Sequence, residues 1–551
     1  VRVLQPKTYL ALLLVTVVAS CTGTISPSGD GAGSDEQPAN DDSVGDGSRF
    51  ARLTHAQWEN TVRDLLYLDA APGLSASFQP DPPLGRFDNN VARLRVTPNH
   101  FADYQQAAEE MASRAVADAT VFGRVVPADL PTEPAERARG FVERFGERAF
   151  RRPLTAAEVD RYAAVFASAT EHYGEVDAFT AGVRLVVESM LQSPHFLYRA
   201  ELSAGTGGAA IKLSGYEVAS RLSYALWNTM PDAELFDAAR SGALDTADGV
   251  RAAAARLFDN PRTRDQISHF HFQAFNLREY TDVDKDLEVF PQWDRELAEN
   301  MQTEMLLFLD DVVFEGGAIG DFLTSTRAYV NADLAAVYGL QGDFGAEFVP
   351  VDLPAEQRAG FLTRAGFLTR KATLTEPDPI HRGVFINLNL LCRELPALPE
   401  IPDELDPIGD TNRQRIDSLT GEGTCGASCH ADIINPPGFA LENYDALGRW
   451  RDLDNGFPVD ASDSYAFDDG RRIDFQNGVE LSRQLADSPE LHSCYSRQLL
   501  EYFFGRDLGA SDQSLLSGLA ASSVSDGFTV RELVIAAVTS DSFRFRAGDS
   551  L

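Results

Sequence analysis

Apolar side chains recur along most of this chain at three- and four-residue intervals, the spacing of a helix with one buried stripe. Behind Ser214 the positions Val218, Leu222, Ala225 and Leu226 fall on one face. The stretches Val183–Met190 and Met301–Phe314 follow the same rule as amphipathic or buried helices. Helix starts are signalled as well. Thr54 with Gln57, Thr155 with Glu158, Ser214 with Glu217 and Thr529 with Glu532 each set a hydroxyl three residues ahead of a carboxylate or amide. That is the reciprocal pattern of a capping box. Period-two alternation is scarce, and its clearest instance runs from Tyr465 to Phe475 around Asp469 and Gly470, a β-hairpin signal. The expected fold is mainly α, a multi-domain helical protein with a small β-hairpin region towards the C-terminal end. A tandem echo, Arg358–Thr363 followed by Arg364–Thr369, is too brief for a solenoid.

Two stretches fall outside this pattern at the N-terminal end. Arg2 and Lys7 precede an apolar run, Leu10–Val18, that is too short to span a bilayer and reads as a secretion signal. Val18, Ala19, Ser20 and Cys21 then have the small-residue pattern of a bacterial lipobox. Residues 1–21 are therefore expected to be a lipoprotein signal, with Cys21 as the lipidated first residue of the mature chain. An ordinary signal peptide cut nearby is the alternative. Residues 22–48 are rich in Gly, Ser and Asp and poor in large apolar side chains, the composition of a flexible acidic linker. No later segment has the roughly 20 apolar residues of a transmembrane helix. The expected place is the cell envelope, periplasm or outer membrane, with a lipid anchor in the membrane.

The 551 residues and 44% hydrophobic content allow several domains with sizeable cores. A formal charge of −35 argues against nucleic acid as a partner and against attachment to anionic lipid. A proline-rich stretch, 396–407, reads as a linker ahead of the segment with the most specific chemistry.

That segment holds Cys425 and Cys429, with His430 directly after the second cysteine. Two thiols and an adjacent imidazole are the attachment logic of c-type haem: the sulfurs bond the porphyrin as thioethers and the histidine is the proximal iron ligand. Three residues separate the cysteines here, where two is usual. A Cys425–Cys429 disulfide, an empty relic of the motif and a zinc site are the other readings of the same residues. With Cys21 set aside, a haem on Cys425 and Cys429 leaves Cys392 and Cys494 to each other in an oxidising compartment. Two buried free thiols are the alternative.

A second axial ligand would be Met or His. Met111, Met190, Met230, Met301 and Met305 all lie N-terminal to the motif in helical patterns that suit core packing. His381 and His492 are the nearest histidines in sequence, and each reads as an ordinary surface or capping residue. The alternating acids of 282–288 lack the glycine and distal glutamate of a calcium loop and read as a solvated loop. His269 and His271 point apart on a helix. There is no Gly-x-Ser-x-Gly elbow and no phosphate-binding glycine loop, so the catalytic residues of a hydrolase or nucleotide enzyme stay unassigned.

Several motifs in fixed order carry a family resemblance. Arg52–Leu66 with Phe87–Asn90, Ala149–Thr155 with Ser193–Arg199, and Leu222–Trp227 with Tyr329–Leu334 come first. Gly360–Thr363, Arg382–Val384, Cys429-His430, Pro437–Asp445 and Gly448–Arg451 follow, then Tyr495–Leu500 and Phe504–Arg506. On these the chain resembles the large planctomycete-type cytochrome-like proteins, also frequent in myxobacteria, which are built from several domains of unknown function. The resemblance implies helical domains at 49–120, 138–203 and 211–342, a cytochrome-like domain at 356–456 and a C-terminal helical domain at 478–548. It also implies an exported, haem-c-like redox role. Together with the lipobox, the expected function is a membrane-anchored redox protein with haem c as cofactor, serving electron transfer or small-oxidant chemistry with a redox partner protein. The other reading is a haem-free, disulfide-stapled scaffold or interaction lipoprotein. The chain departs from the commonest family spacing twice: one extra residue lies between the cysteines, and one more lies between His430 and Pro437.

Overall fold

The four hydroxyl–carboxylate (or amide) pairs open helices as their spacing requires. Thr54, Thr155, Ser214 and Thr529 each accept the backbone N–H three residues on, and Gln57, Glu158, Glu217 and Glu532 reach back to the cap. The computed structural model describes residues 49–548, apart from 83–84, 205–209, 396–405 and 425. The signal, Cys21, the acidic linker, most of the proline-rich stretch and Cys425 therefore lie outside the described residues.

Helices make up most of the fold, and the strands occur only as short antiparallel pairs among the described residues. Phe50–Arg52 pairs with Tyr198–Ala200, and Ile211–Lys212 pairs with Phe545–Arg546, so each pair ties distant parts of the chain. The hairpin forms between Asp463–Ala466 and Arg472–Phe475, with Tyr465 opposite Ile473 and Gly470 at φ 86° in the turn. None of the described helices is long and apolar enough to cross a membrane.

The cores are shared between segments that look separate in sequence. One gathers Trp58, Met111, Phe141, Val183 and Met190. The largest draws Leu222, Phe270, Phe308, Phe361, Phe385, Tyr444, Tyr495 and Leu533 into one cluster, so the C-terminal helices close over the middle of the chain. A third packs Trp293, Met301, Leu334 and Leu447. All five methionines are buried in these clusters, as their helical positions suggest.

Buried arginines pin the chain between the cores. Each guanidinium has five donors in a fixed fork and can satisfy carbonyls that no helix or sheet reaches. Arg382 donates to the carbonyls of Lys371 at 3.0 Å, Leu441 at 2.8 Å and Leu368 at 3.2 Å. The tandem echo becomes two such pins. Arg358 holds the carbonyls of Thr363 and Gly448, Arg364 holds those of Ser325 and Arg327, and Phe361 packs on Phe367 with centroids 5.3 Å apart. The acidic loop at 282–288 differs from its expected solvated form at one residue. Lys285 is buried and donates to the carbonyls of Thr369 at 3.0 Å and Thr373 at 2.7 Å, because its ammonium can cap several carbonyls at once.

Arg364 also faces Glu304, Nη1 to Oε1 at 3.5 Å, both fully buried. Burial pushes the Glu304 carboxyl up to about 7, against the pull of Arg364 and Arg358. Its charged form is thus disfavoured in the folded chain, and the sign follows. This group's contribution to stability is fully present below the ordinary carboxyl value of 4.5 and is lost as pH rises through about 7. Glu304→Gln is expected to flatten the stability profile between pH 5 and pH 8, read by urea unfolding at both. A variant profile as steep as the wild type's would contradict this.

Cys392 and Cys494 form a disulfide, with Cα atoms 5.3 Å apart and a separation of 102 positions in sequence. A loop of that length is worth about 4–5 kcal/mol by chain entropy, less any native strain. The double variant Cys392→Ala/Cys494→Ala is expected to lose stability on that order in urea unfolding. Unchanged unfolding would contradict this restraint of the unfolded chain.

Candidate functional site

The cysteine–histidine segment sits on one of two helical stretches packed backbone to backbone. Thr411 caps the helix Asn412–Thr420, which ends at Gly421. A single turn, Ala427–Cys429, then leads into a π-helical turn, His430–Ile434, and the helix Asn435–Phe439. The facing stretch is Pro379–Phe385, continued by a second π-helical turn, Ile386–Leu390. A Cβ on Gly383 would lie 1.9 Å from the Ile434 carbonyl oxygen, and one on Gly438 would lie 2.0 Å from that of Pro379. The two stretches are therefore antiparallel, and only glycine fits at either crossing point. Asn387 locks the pair by donating to the carbonyls of Gly383 at 2.8 Å and Ile433 at 2.9 Å. Its Oδ1 accepts from the Tyr465 hydroxyl at 2.7 Å, so the hairpin buttresses the site.

The π turn gives the extra residue after His430 a physical place. The Asn435 N–H bonds to the His430 carbonyl, five residues back, so this turn holds one residue more than an α turn. Gly438 can then still meet Pro379.

Cys429 is buried and carries a free thiol, with the Ser428 hydroxyl 3.8 Å from its sulfur. His430 is half-buried, and its Nδ1 lies 3.3 Å from Asn435 Oδ1. The tautomer follows from a short relay. Thr420 Oγ1 donates to the Ile416 carbonyl at 2.8 Å and accepts from Asn435 Nδ2 at 2.9 Å. The Asn435 oxygen therefore faces the imidazole and accepts a hydrogen bond from Nδ1–H, which leaves Nε2 with its lone pair. Burial holds the ring below its ordinary pKa against the Asn435 bond, which keeps it neutral near pH 7. On Gly426 a Cβ would lie 3.4 Å from His430 Cδ2, so glycine keeps the side of the ring open. A neutral histidine with Nδ1 engaged and Nε2 available, beside a free thiol, fits the proximal role in a c-type haem site.

The candidates for a second ligand fare differently. His492, expected at the surface or as a cap, is buried: Nδ1 bonds Ser523 Oγ at 2.7 Å and Nε2 bonds the Ala486 carbonyl at 2.9 Å. Both nitrogens are committed, so it is a core residue. His381 is exposed and caps its own helix with Asp378, Nδ1 to Oδ2 at 2.6 Å. His269 faces Asp88 at 3.0 Å from an exposed position, while His271 is fully buried and bonds the Tyr495 hydroxyl at 2.9 Å.

One cluster escapes sequence reasoning. His55, Asp81 and His100 bring their donor atoms within 4.8 Å of one another. Their separation in sequence gives no motif.

Five family matches run along the chain, each described as a protein of unknown function. They cover 51–117 (DUF1587), 137–201 (DUF1595), 213–340 (DUF1592), 358–454 (PSCyt3, DUF1588) and 472–543 (DUF1585). The disulfide joins the fourth of these to the fifth. No curated protein and no solved structure matches the chain.

Proposed function

We propose that this chain, which carries five domains of the planctomycete-type cytochrome-like family, is an exported, lipid-anchored redox protein that holds haem c on Cys425, Cys429 and His430. The observation that carries the reading is the set of His430. Its Nδ1–H donates to Asn435 Oδ1, burial keeps it neutral, and Cys429 stands next to it. When bound, the haem supplies one-electron chemistry with a partner or a small oxidant. The residues of this chain do the rest. Asn435 and Thr420 fix the ring, the Gly383 and Gly438 contacts fix the turn that carries it, and the Cys392–Cys494 bridge ties that seat to the C-terminal helices. The fourth matched segment, whose name denotes a cytochrome, contains the motif. Lipidation at Cys21 would place the chain in the cell envelope.

A haem-free scaffold is the second reading, favoured by one observation. A cleft of about 720 Å³ is lined by six arginines (Arg63, Arg124, Arg144, Arg148, Arg240 and Arg262) against four carboxylates (Asp64, Glu147, Asp232 and Asp237), a net positive lining in a chain whose net charge is −35. Such a cleft suits an acidic partner. Expression in a host with c-haem assembly separates the readings. A Soret band and haem that stays on the chain in a denaturing gel support the first. A colourless chain leaves the second.

A further inference from the structure

In the first helical segment three donors converge that play no part in the haem reading. We propose that His55, Asp81 and His100 form a site for a divalent transition metal, with zinc as the ion of best chemical fit.

The three residues come from separate elements. His55 opens the helix His55–Leu65, His100 lies in the first turn of the helix Pro98–Ala117, and Asp81 is on the loop between them. His55 Nε2 is 3.8 Å from Asp81 Oδ2, and His100 Nε2 is 3.6 Å from Asp81 Oδ1. These distances are too long for N–H···O bonds. The His55–Oδ2 distance lies near the donor–donor edge of about 3.3 Å that a tetrahedral ion with bonds of about 2.0 Å would impose. The His100 distance is to the other oxygen of the same carboxylate, and all three donors lie within 4.8 Å of one another. Both Nε2 atoms are buried without a hydrogen-bond partner, and His100 is only 3% exposed. Unpaired buried nitrogens are costly. Two of them aimed at one carboxylate are what an ion between the three would satisfy.

The surroundings orient the donors. Arg52 Nη2 bonds Asp81 Oδ1, and its Nη1 donates to the Tyr104 hydroxyl at 2.6 Å, so one carboxylate oxygen is held and the other is left for the ion. His100 Nδ1 is 2.9 Å from Thr97 Oγ1, an acceptor for the proton that a metal-bound imidazole carries on its far nitrogen. Without the ion the Thr97 amide also points at Nδ1, at 3.2 Å. Loading therefore moves the ring proton from Nε2 to Nδ1 and gives up that amide contact. Phe78 sets its edge on His55 at 5.4 Å and is backed by Trp58 and Tyr104, which makes an apolar wall. Two imidazoles and one carboxylate suit zinc, where calcium and magnesium ask for all-oxygen shells. They leave the fourth tetrahedral position to water. The nearby Arg52 charge makes the site weaker than a closed four-ligand one.

The test uses the full chain, stripped with a chelator and titrated with Co(II) as optical probe and with Zn(II) under elemental analysis. One equivalent of each is expected, with cobalt bands of a tetrahedral nitrogen–oxygen site. His55→Ala and Asp81→Asn should each weaken cobalt binding beyond the roughly 10- to 100-fold that loss of an outer partner costs. His381→Ala, at an exposed histidine outside both sites, should leave it unchanged. Circular dichroism of metal-free His55→Ala checks the fold. If that variant does not fold, the wild-type spectrum decides alone. Absence of a bound equivalent, the octahedral spectrum of the free ion, binding seen only through a sulfur-to-metal charge-transfer band, or equal affinity in a folded His55→Ala would each overturn the proposal.

Discussion

A His430→Ala chain matured in a host with c-haem assembly is expected to keep its helical spectrum and to lose or alter its haem. The stability cost should be small. His430 is half-buried and makes one side-chain hydrogen bond, to Asn435, so removal is worth no more than about 1.5 kcal/mol. The effect on the cofactor should be large, because under the proposed reading its ring nitrogen would be the proximal ligand. Cys429→Ala is expected to leave at most one thioether, so part or all of the haem should wash off on denaturation. Asn435→Ala acts through the ring's orientation and should shift the spectrum with less loss of haem. Optical spectra and haem staining of denaturing gels read all three. If His430→Ala and the wild type have the same spectrum and haem content, His430 is not the ligand.

Gly383→Ala should do the opposite, damaging the fold before the chemistry. The added methyl would sit 1.9 Å from the Ile434 carbonyl oxygen, and Gly438→Ala would meet the Pro379 carbonyl at 2.0 Å. Both obstacles are backbone, so no side chain can rotate aside. The antiparallel stretches must separate, at a cost above the about 1–3 kcal/mol of ordinary overpacking. Gly518→Ala is the control. It lies in the helix Gln513–Ser525 with nothing within 4 Å of its new methyl, and should be neutral or stabilising by up to about 1 kcal/mol. Urea unfolding and limited proteolysis compare the three. A Gly383→Ala chain as stable as Gly518→Ala would mean that the two stretches are not packed as described.

What the sequence made legible is mostly local. A capping box needs four residues and a hairpin needs a turn flanked by alternation, so Thr54, Thr155, Ser214, Thr529 and the Asp469-Gly470 turn could be read directly. The Cys392–Cys494 pairing is expected from cysteine parity once Cys425 and Cys429 are given to haem in an oxidising compartment. The shared cores were not legible, since Tyr495 joining Phe270 and Phe322 depends on contacts hundreds of residues apart in the chain. Burial of His492 and Lys285 was missed for the same reason: both look solvated until a distant carbonyl or hydroxyl arrives. In the candidate site, His430 and Cys429 stood out by adjacency, while Asn435 gave no signal beyond sitting five residues on. The π turn was visible only as an extra residue. Its role appears once Gly438 is seen against Pro379.

The central claim is that this chain carries covalent haem on the cysteine–histidine segment. Intact-mass spectrometry of the full chain, purified from a host with c-haem assembly and then denatured, tests it most directly. The account predicts a chain heavier by one haem, with the added mass mapped to the peptide holding Cys425 and Cys429. A chain of unmodified mass, with both thiols free or bridged to each other, would contradict it.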